Sequence, residues 1–544
     1  MRLVSLCLTA LLGCAAPQEA APLKAPAPPP ASPPAPAEKK VDPEKKLDPG
    51  QAHALTEQAT AAHKAKQYAE SERLFKMAFA LEPNEETAVS IACAAALGGR
   101  QDEAFRWLDT AVDRGLRSPV AFNDEDLKSL GADPRWGKLL ERMKVSATRI
   151  AEERGVGVGL TSITAEQAGL DAAALQTFLA EAEKAHSIGA VILKDGKLVG
   201  EWAFGHWRRP IEAMSATKSV VALAIGFLIA DGKLKSLDAP LWELYPELRQ
   251  GLKESLTVRH LLNHTSGIQA EPHTMEIYRS PDFVRLALSA DLVSKPGEKF
   301  FYNNKAVNLL AGIVERASGQ KLDDYLKARL FEPLGIRDVS WTRDSAGNPH
   351  GMSGLQIHPI DFAKIGQMLL DGGKWQGKQI LPEEFIKEAA HKAGQPFAPT
   401  SGLLFWLRFE TMRSTIPADA SKILASRKAK PEWVKIAREL EGKPLEHTAA
   451  REALEKKLPK LDEQMSFLRE LAAADRGPTM TVEGPLTKIA ARGYLGQVML
   501  VYPRSRLVVV RMTEYDPSVP PDVLGFPQVD VLADKLVPAQ KTTP

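Results

Sequence analysis

The chain has 544 residues, 44% of them hydrophobic, with 70 Lys+Arg against 68 Asp+Glu and a formal net charge of +2. A chain of this length divides into two or more cores rather than one. The even charge balance lacks the basic excess or stripe of a nucleic-acid binder, so a nucleic-acid partner is not expected.

The chain opens MRLVSLCLTALLGC, with Arg2 ahead of a short apolar run from Leu3 to Leu12. The run is too short to span a bilayer as a permanent helix and fits the apolar part of a secretory signal. Its end, Leu11-Leu12-Gly13-Cys14, resembles the bacterial lipoprotein box. That resemblance implies a signal over residues 1–14, lipidation of Cys14, and a mature chain anchored in the bacterial cell envelope, on the periplasmic side of the outer membrane. Acyl chains would hold it there, each buried methylene adding about 0.8 kcal/mol. The alternative is an ordinary signal cleaved near Ala15-Ala16. Cys7 leaves with either signal; with Cys14 lipidated, only Cys93 remains and no intramolecular disulfide can form.

Residues 15–50 are rich in Pro and Ala with scattered charge, a composition that builds no core and predicts an extended spacer. Over 51–146 the pattern turns helical and repeats. KQYAESERLFKMAFALEP and GRQDEAFRWLDTAVDRGL align, so that Ser71 matches Ala104, Phe75 matches Leu108 and Ala78 matches Ala111, each 33 positions later. Tyr68, Phe75, Ala78 and Pro83 resemble the tetratricopeptide repeat, whose period is near 34. The resemblance implies an all-α domain that either docks a protein partner or serves as a helical spacer.

After Ile150 the chain changes character, and a second domain is expected over 150–540. IGAVILKDGKLVGEWAF predicts a hairpin turning at Asp195-Gly196. Helices are expected after Ser215 and in TVRHLLNHTSGI, KAVNLLAGIVERASG and IDFAKIGQMLLDGG. GLLFWLRF reads as a strand, QVMLVYPRSRLVVVRM as a second hairpin and VDVLADKLV as a closing helix. Strands at both ends with helices between predict an α+β domain whose antiparallel sheet is completed by both ends of the chain. Between about 410 and 484 lies a long charged helical insertion, read either as a lid over the substrate cleft or as a solvated appendage.

MSATKS, residues 214–219, sets a lysine at the opening of the apolar run VVALAIGFLIADGK. With a helix beginning near Ser215, Ser215 and Lys218 share a face at i and i+3. Serine becomes a nucleophile only when a base takes its proton, and a desolvated lysine can be that base. S-x-x-K alone arises by chance about once in a chain this long. A second copy, Ser318-Gly319-Gln320-Lys321, reads as the turn closing a helix.

MSATKSVVALAIGFLIADGKLKSLDAPL, LTVRHLLNHTSGI, PGEKFFYNNKAVNLLAGIVERASGQKLDDYL and GMSGLQIHPIDFAKIGQMLLDGGKWQGKQILP occur in that order. Together they resemble the serine β-lactamase-like family of class C β-lactamases, penicillin-binding DD-peptidases and related esterases and amide hydrolases. The resemblance implies a β-lactamase/transpeptidase-like fold, an antiparallel sheet flanked by helices with a helical subdomain. It also implies an acyl-enzyme mechanism that needs no cofactor.

By resemblance, Ser215 is the nucleophile, Lys218 its base, and Tyr302 of Tyr302-Asn303-Asn304 the second base. Asn304 would orient Lys218 and the substrate. The third family element, K-T-G or H-x-G, is matched to Gly493-Tyr494-Leu495-Gly496-Gln497. Gly496 would admit substrate close to the strand, and the Gln497 N–H would be the second oxyanion donor beside that of Ser215. Tyr494 and Leu495 replace the charge and hydroxyl that meet a substrate carboxylate, unless Arg492 substitutes. The expectation is an esterase or an amide hydrolase of the 6-aminohexanoate-dimer-hydrolase type. The alternatives are DD-peptidase or β-lactamase activity with Arg492 as carboxylate anchor, and a non-catalytic envelope scaffold using the repeats. His260 and His264 are four apart, but no H-E-x-x-H pattern accompanies them, so no metal site is expected.

Overall fold

The computed structural model describes residues 49–270, 274–473 and 477–537; Cys14 and the Pro/Ala-rich segment ahead of Pro49 lie outside the described residues. The chain falls into two units, one ending at Ser146 and the other beginning at Ala147.

The first unit is helical. Helices α1 (Pro49–Lys64), α2 (Tyr68–Leu81), α3 (Glu85–Leu97) and α4 (Gln101–Asp113) pack in sequence, α1 on α2, α2 on α3 and α3 on α4. Two short 3-10 turns follow, and α5 (Pro134–Glu153) begins beyond them. Ser71, Phe75 and Ala78 are buried on α2, and Ala104, Leu108 and Ala111 are buried on α4. The small ones among them, Ser71, Ala78, Ala104 and Ala111, let neighbouring backbones approach. Asn84 caps α3, its Oδ1 accepting from the Thr87 N–H at 2.8 Å.

The second unit is built on one antiparallel sheet. Helix α6 (Ala172–Lys184) leads into the hairpin of β1 (Gly189–Lys194) and β2 (Lys197–Trp202). Asp195 and Gly196 turn it with φ of +51° and +76°, the left-handed pair of a tight hairpin whose twist matches its strands. The later strands are β3 (Trp406–Thr415), β4 (Leu445–Glu446), β5 (Thr479–Gly493), β6 (Gln497–Tyr502) and β7 (Leu507–Met512). The sheet order is β2-β1-β7-β6-β5-β3-β4. β1 therefore pairs with β7, Gly189 opposite Met512, and the two ends of the domain close the sheet together.

Both faces of the sheet are covered, and the period of two along each strand shows how. Ala190, Ile192, Val498, Leu500 and Val509 face α6 and the closing helix α15 (Val529–Asp534), where Phe178 and Leu532 are buried with them. Val191, Leu193, Met499, Val501, Val508 and Val510 face the larger core. That core holds α7 (Thr217–Ala230), α8 (Val258–Leu262), α9 (Asn304–Ser318) and α10 (Pro359–Leu370). Helix α7 is buried from Thr217 to Leu228, which its unbroken apolar sequence requires.

Two sequence expectations change. GLLFWLRF is a strand only from Trp406; ahead of it, Leu404 has a φ of +60°, so the segment turns before it extends. The insertion is also shorter in helix than expected, because its two ends are strand. β3 and β5 continue as a paired ribbon from Trp406↔Ala490 to Thr415↔Thr479. Beyond that end lie α11 (Ala420–Ser426), α12 (Pro431–Leu440), α13 (His447–Lys457) and α14 (Leu461–Ala473), around a core of their own that includes Leu424, Trp433, Ile436, Phe467 and Leu471.

Candidate active site

Ser215 sits at the entry to α7, in a single 3-10 turn over Met214–Ala216. Met214 before it has a φ of +49°. A non-glycine residue held there stores about 1–2 kcal/mol of backbone strain, which the surrounding packing must hold. One turn on, Lys218 is 3% exposed. Its Nζ donates to Ser215 Oγ at 2.9 Å and to the Met352 carbonyl at 2.8 Å. Burial pushes the ammonium below its ordinary pKa range; Tyr302 beside it acts in the opposite direction without overcoming that. The amine is thus dry, aimed at the hydroxyl and answered by no carboxylate among the described residues.

Tyr302 precedes α9 and is half-exposed. Its ring centroid lies 5.1 Å from Lys218 Nζ, and its ring is stacked over Trp406 at 6.4 Å. His264 holds this segment. Its carbonyl accepts from the Phe301 N–H at 2.7 Å, its Nδ1 accepts from the Asn303 N–H at 3.1 Å, and its ring lies 4.5 Å from that of Tyr302. Burial, and then the Lys218 charge, lower the His264 pKa to about 3. The ring is neutral at physiological pH, with its proton on Nε2 because Nδ1 accepts. Asn303 is the cap of α9, its Oδ1 accepting from the Ala306 N–H and its Nδ2 donating to the Ile268 carbonyl. Asn304 Oδ1 is buried with no hydrogen-bond partner. Lys218 is oriented by Met352 rather than by Asn304, and Asn308 Oδ1 fixes Met352 by accepting its N–H at 2.9 Å.

The third element departs from the sequence expectation. Tyr494–Gly496 is a 3-10 turn joining β5 to β6, and the Gln497 N–H donates to the Tyr494 carbonyl within it. That N–H is committed to the turn and is not poised for an oxyanion. Gly496 has a φ of +74°, and a Cβ there would lie 2.2 Å from the Gly525 carbonyl oxygen. The glycine is demanded by the protein's own packing, not by substrate approach. Arg511, fully buried, donates to the Leu495 carbonyl and fixes the same turn. The strand edge beside the nucleophile lies upstream. β5 loses its β3 partner after Ala490, and a Cβ on Gly493 would sit 2.5 Å from the Ala213 carbonyl oxygen and 2.9 Å from Met214 Cβ. Residues 491–493 therefore run against the Ser215 turn with one backbone edge released from the sheet.

Ser215, Lys218, His264 and Tyr302 line one pocket with Ser401, Leu404, Phe405, Trp406 and Arg492. Tyr494 is exposed and Gln497 is buried beneath the turn; neither lines it. The 401–406 wall was missed in the sequence. The Leu404 carbonyl is pinned by Ser219 Oγ at 2.6 Å, so α7 places this wall as well as the nucleophile. Arg492 reaches the pocket but its Nη2 donates to Asp530 Oδ1 at 2.7 Å. His260 is taken up by a capping box with Thr257 at the start of α8.

The Beta-lactamase family model matches residues 172–534, more than half of the chain. Esterase EstB of Burkholderia gladioli is 35% identical over 203 residues, 33% of this chain and 51% of EstB. Protein flp of Staphylococcus aureus (strain MW2) is 27% identical over 195 residues, 32% of this chain and 39% of flp. The chain thus spans about half the length of EstB and less of flp. Among solved structures, a penicillin binding protein from Bacillus halodurans aligns with 66% of this chain and 99% of its own, at 17% identity and a TM-score of 0.43. On the extent of the family match, the chain belongs to the beta-lactamase family, with residues 172–534 as its family domain.

Proposed function

We propose that the chain is a serine hydrolase that cleaves an ester or amide through an acyl-enzyme on Ser215. One observation carries the reading: a buried amine stands 2.9 Å from the Ser215 hydroxyl, with no carboxylate among the described residues to hold it charged. Neutral Lys218 takes the hydroxyl proton as Oγ attacks the carbonyl carbon. The oxyanion is met by the Ser215 N–H, just ahead of α7, and by the released β5 edge over 491–493. Tyr302, within reach of Lys218, passes the proton to the leaving group, and water then hydrolyses the acyl-enzyme by the reverse relay.

The test is 4-nitrophenyl ester turnover by the wild type and by Ser215→Ala, with intact-mass detection of a fluorophosphonate adduct. A Ser215-dependent rate and a single adduct are expected. Equal rates, with no adduct in folded protein, would sink the mechanism and favour a scaffold that binds without turnover.

For the first unit we propose tetratricopeptide-like repeats that dock a protein partner; the matching buried positions on α2 and α4 support it. Lipidation of Cys14 would anchor the chain to the envelope with the Pro/Ala-rich segment as spacer. Loss of palmitate labelling in Cys14→Ser, and of membrane association with it, is the expected result; retention of both would discard the anchor.

A further inference from the structure

Among the described residues, the cations lining the pocket of Ser215 are Lys218 and Arg492. Lys488 and Arg492 stand four residues apart on β5 and share a face of the strand. Asp530 and Asp534 stand four apart on α15 and share a face of that helix. The two faces meet. Asp530 Oδ1 accepts from Arg492 Nη2 at 2.7 Å and from Lys488 Nζ at 2.8 Å. Asp534 accepts from Lys488 at 2.6 Å and from the Tyr502 hydroxyl at 2.8 Å, with Arg408 at 3.6 Å. Asp530 is therefore the carboxylate that answers Arg492. Burial pushes its carboxyl up, but the hydrogen bonds and charges of Arg492 and Lys488 outweigh this and hold it well below the usual carboxylate range.

We propose that Asp530 determines specificity: by cancelling the charge of Arg492 at the pocket it selects acyl donors that carry no carboxylate beside the scissile bond. This rests on the hydrolase reading above and names the substrate class of the same site. A carboxylate entering the pocket meets Arg492 with Asp530 immediately behind it, so attraction and repulsion offset. The remaining guanidinium N–H groups keep their ability to donate to a neutral carbonyl oxygen. An uncharged ester or amide loses nothing from the pairing, whereas a penicillin or a peptide C-terminus loses its anchor.

The experiment compares two esters of similar shape, 4-nitrophenyl butyrate and 4-nitrophenyl hemisuccinate. Binding is measured by calorimetry in a Ser215→Ala background, where turnover plays no part. Adding Asp530→Asn is expected to raise the ratio of hemisuccinate to butyrate affinity about tenfold, the worth of one released charge-assisted hydrogen bond. Adding Arg492→Ala to that double variant is expected to return the ratio to its starting value. An unchanged ratio in folded Asp530→Asn protein overturns the proposal. Ser215→Ala/Arg492→Ala, with Asp530 intact, tests it without relying on the Asp530 variant: the ratio is expected to stay within about twofold, and a tenfold fall would mean that Arg492 already anchors carboxylates. Absence of any Ser215-dependent rate on either ester would count against the hydrolase reading alone, because the binding ratios decide this proposal independently.

Discussion

The chain carries S-x-x-K twice, and the two copies share spacing but little else. Lys218 is buried, with a hydroxyl and a carbonyl as its acceptors. Lys321 is partly exposed and donates to Glu315 at 2.8 Å and to Asn348 at 3.1 Å. Ser318 donates back to the Val314 carbonyl at 2.6 Å, as a serine closing a helix does, and Gly319 follows in the left-handed conformation. A lysine deprived of both water and a carboxylate can give up its proton. The difference between base and ornament lies in the surroundings, not in the motif.

The largest effect separates the two copies by mutation. Ser215→Ala and Lys218→Ala are each expected to lower kcat/KM for a nitrophenyl ester by about a thousandfold or more. Ser318→Ala and Lys321→Ala should leave kcat/KM unchanged and cost about 1 kcal/mol of stability or less, read from denaturant melts. A rate loss in the second pair comparable to the first would break the contrast.

The second effect is on pH. Because burial lowers the Lys218 pKa from its ordinary value, the neutral base becomes available below the usual lysine range near 10.5. The sign follows: kcat/KM should rise with pH, about tenfold per unit, up to the Lys218 pKa, and level off above it. A limb that continues rising past 10.5 would mean that burial does not lower the Lys218 pKa. His264 sets the acid side of stability. Its folded pKa of about 3 lies below the ordinary 6.5, so the folded state binds fewer protons in that window. Stability should fall on acidification from 6.5 toward 3, by about 1.4 kcal/mol per unit from this residue, and His264→Asn should remove that share.

The third effect concerns Tyr302, which depends on His264 for its place. His264→Leu leaves the buried Asn303 N–H without its acceptor, at a cost of about 1–3 kcal/mol. It is expected to lower kcat about tenfold, through displacement of the phenol, with a smaller change in KM. His264→Asn offers an oxygen near the position of Nδ1, and asparagine tolerates the φ of +56° at this site, so it should recover most of the rate. Equal damage by both variants would mean the imidazole acts in some way other than by accepting that hydrogen bond.

What was legible in the sequence was what local spacing dictates. Ser215 and Lys218 are neighbours because a helix brings i and i+3 together, and Asp195-Gly196 turns a hairpin because its two residues accept positive φ. The covering of both sheet faces follows from alternating apolar strands. What was illegible depends on distant chain. Met352 and Leu404 enter the site through contacts made from 134 and 185 residues away. The glycine at 496 looked like a substrate-facing residue, yet its reason is the Gly525 carbonyl, in a segment that carries no motif. The Gln497 donor was misassigned because a turn and a strand end look alike as letters until the hydrogen bond to Tyr494 is seen.

The insertion gives the smallest expected effect, and the reason is again a comparison, between the two ends of one ribbon. At its near end Trp406 lines the Ser215 pocket and pairs with Ala490; at its far end Thr415 pairs with Thr479 and the four helices begin. Ten extended residues carry the chain roughly 30 Å between those ends, and the helices close on their own core. Among the described residues, none that lines the pocket comes from them. A lid must touch the cleft it closes, so the appendage reading gains over the lid. Replacing residues 416–478 by a two-residue Asn-Gly turn between Thr415 and Thr479 keeps the strand pairing, since those residues already stand opposite one another. Ester kcat and KM are expected to stay within about twofold, because the groups that bind and react remain as they were. A tenfold rise in KM in the folded deletion variant would restore the lid, and would require the ribbon to bend back on the pocket at its irregularity between Glu483 and Leu486.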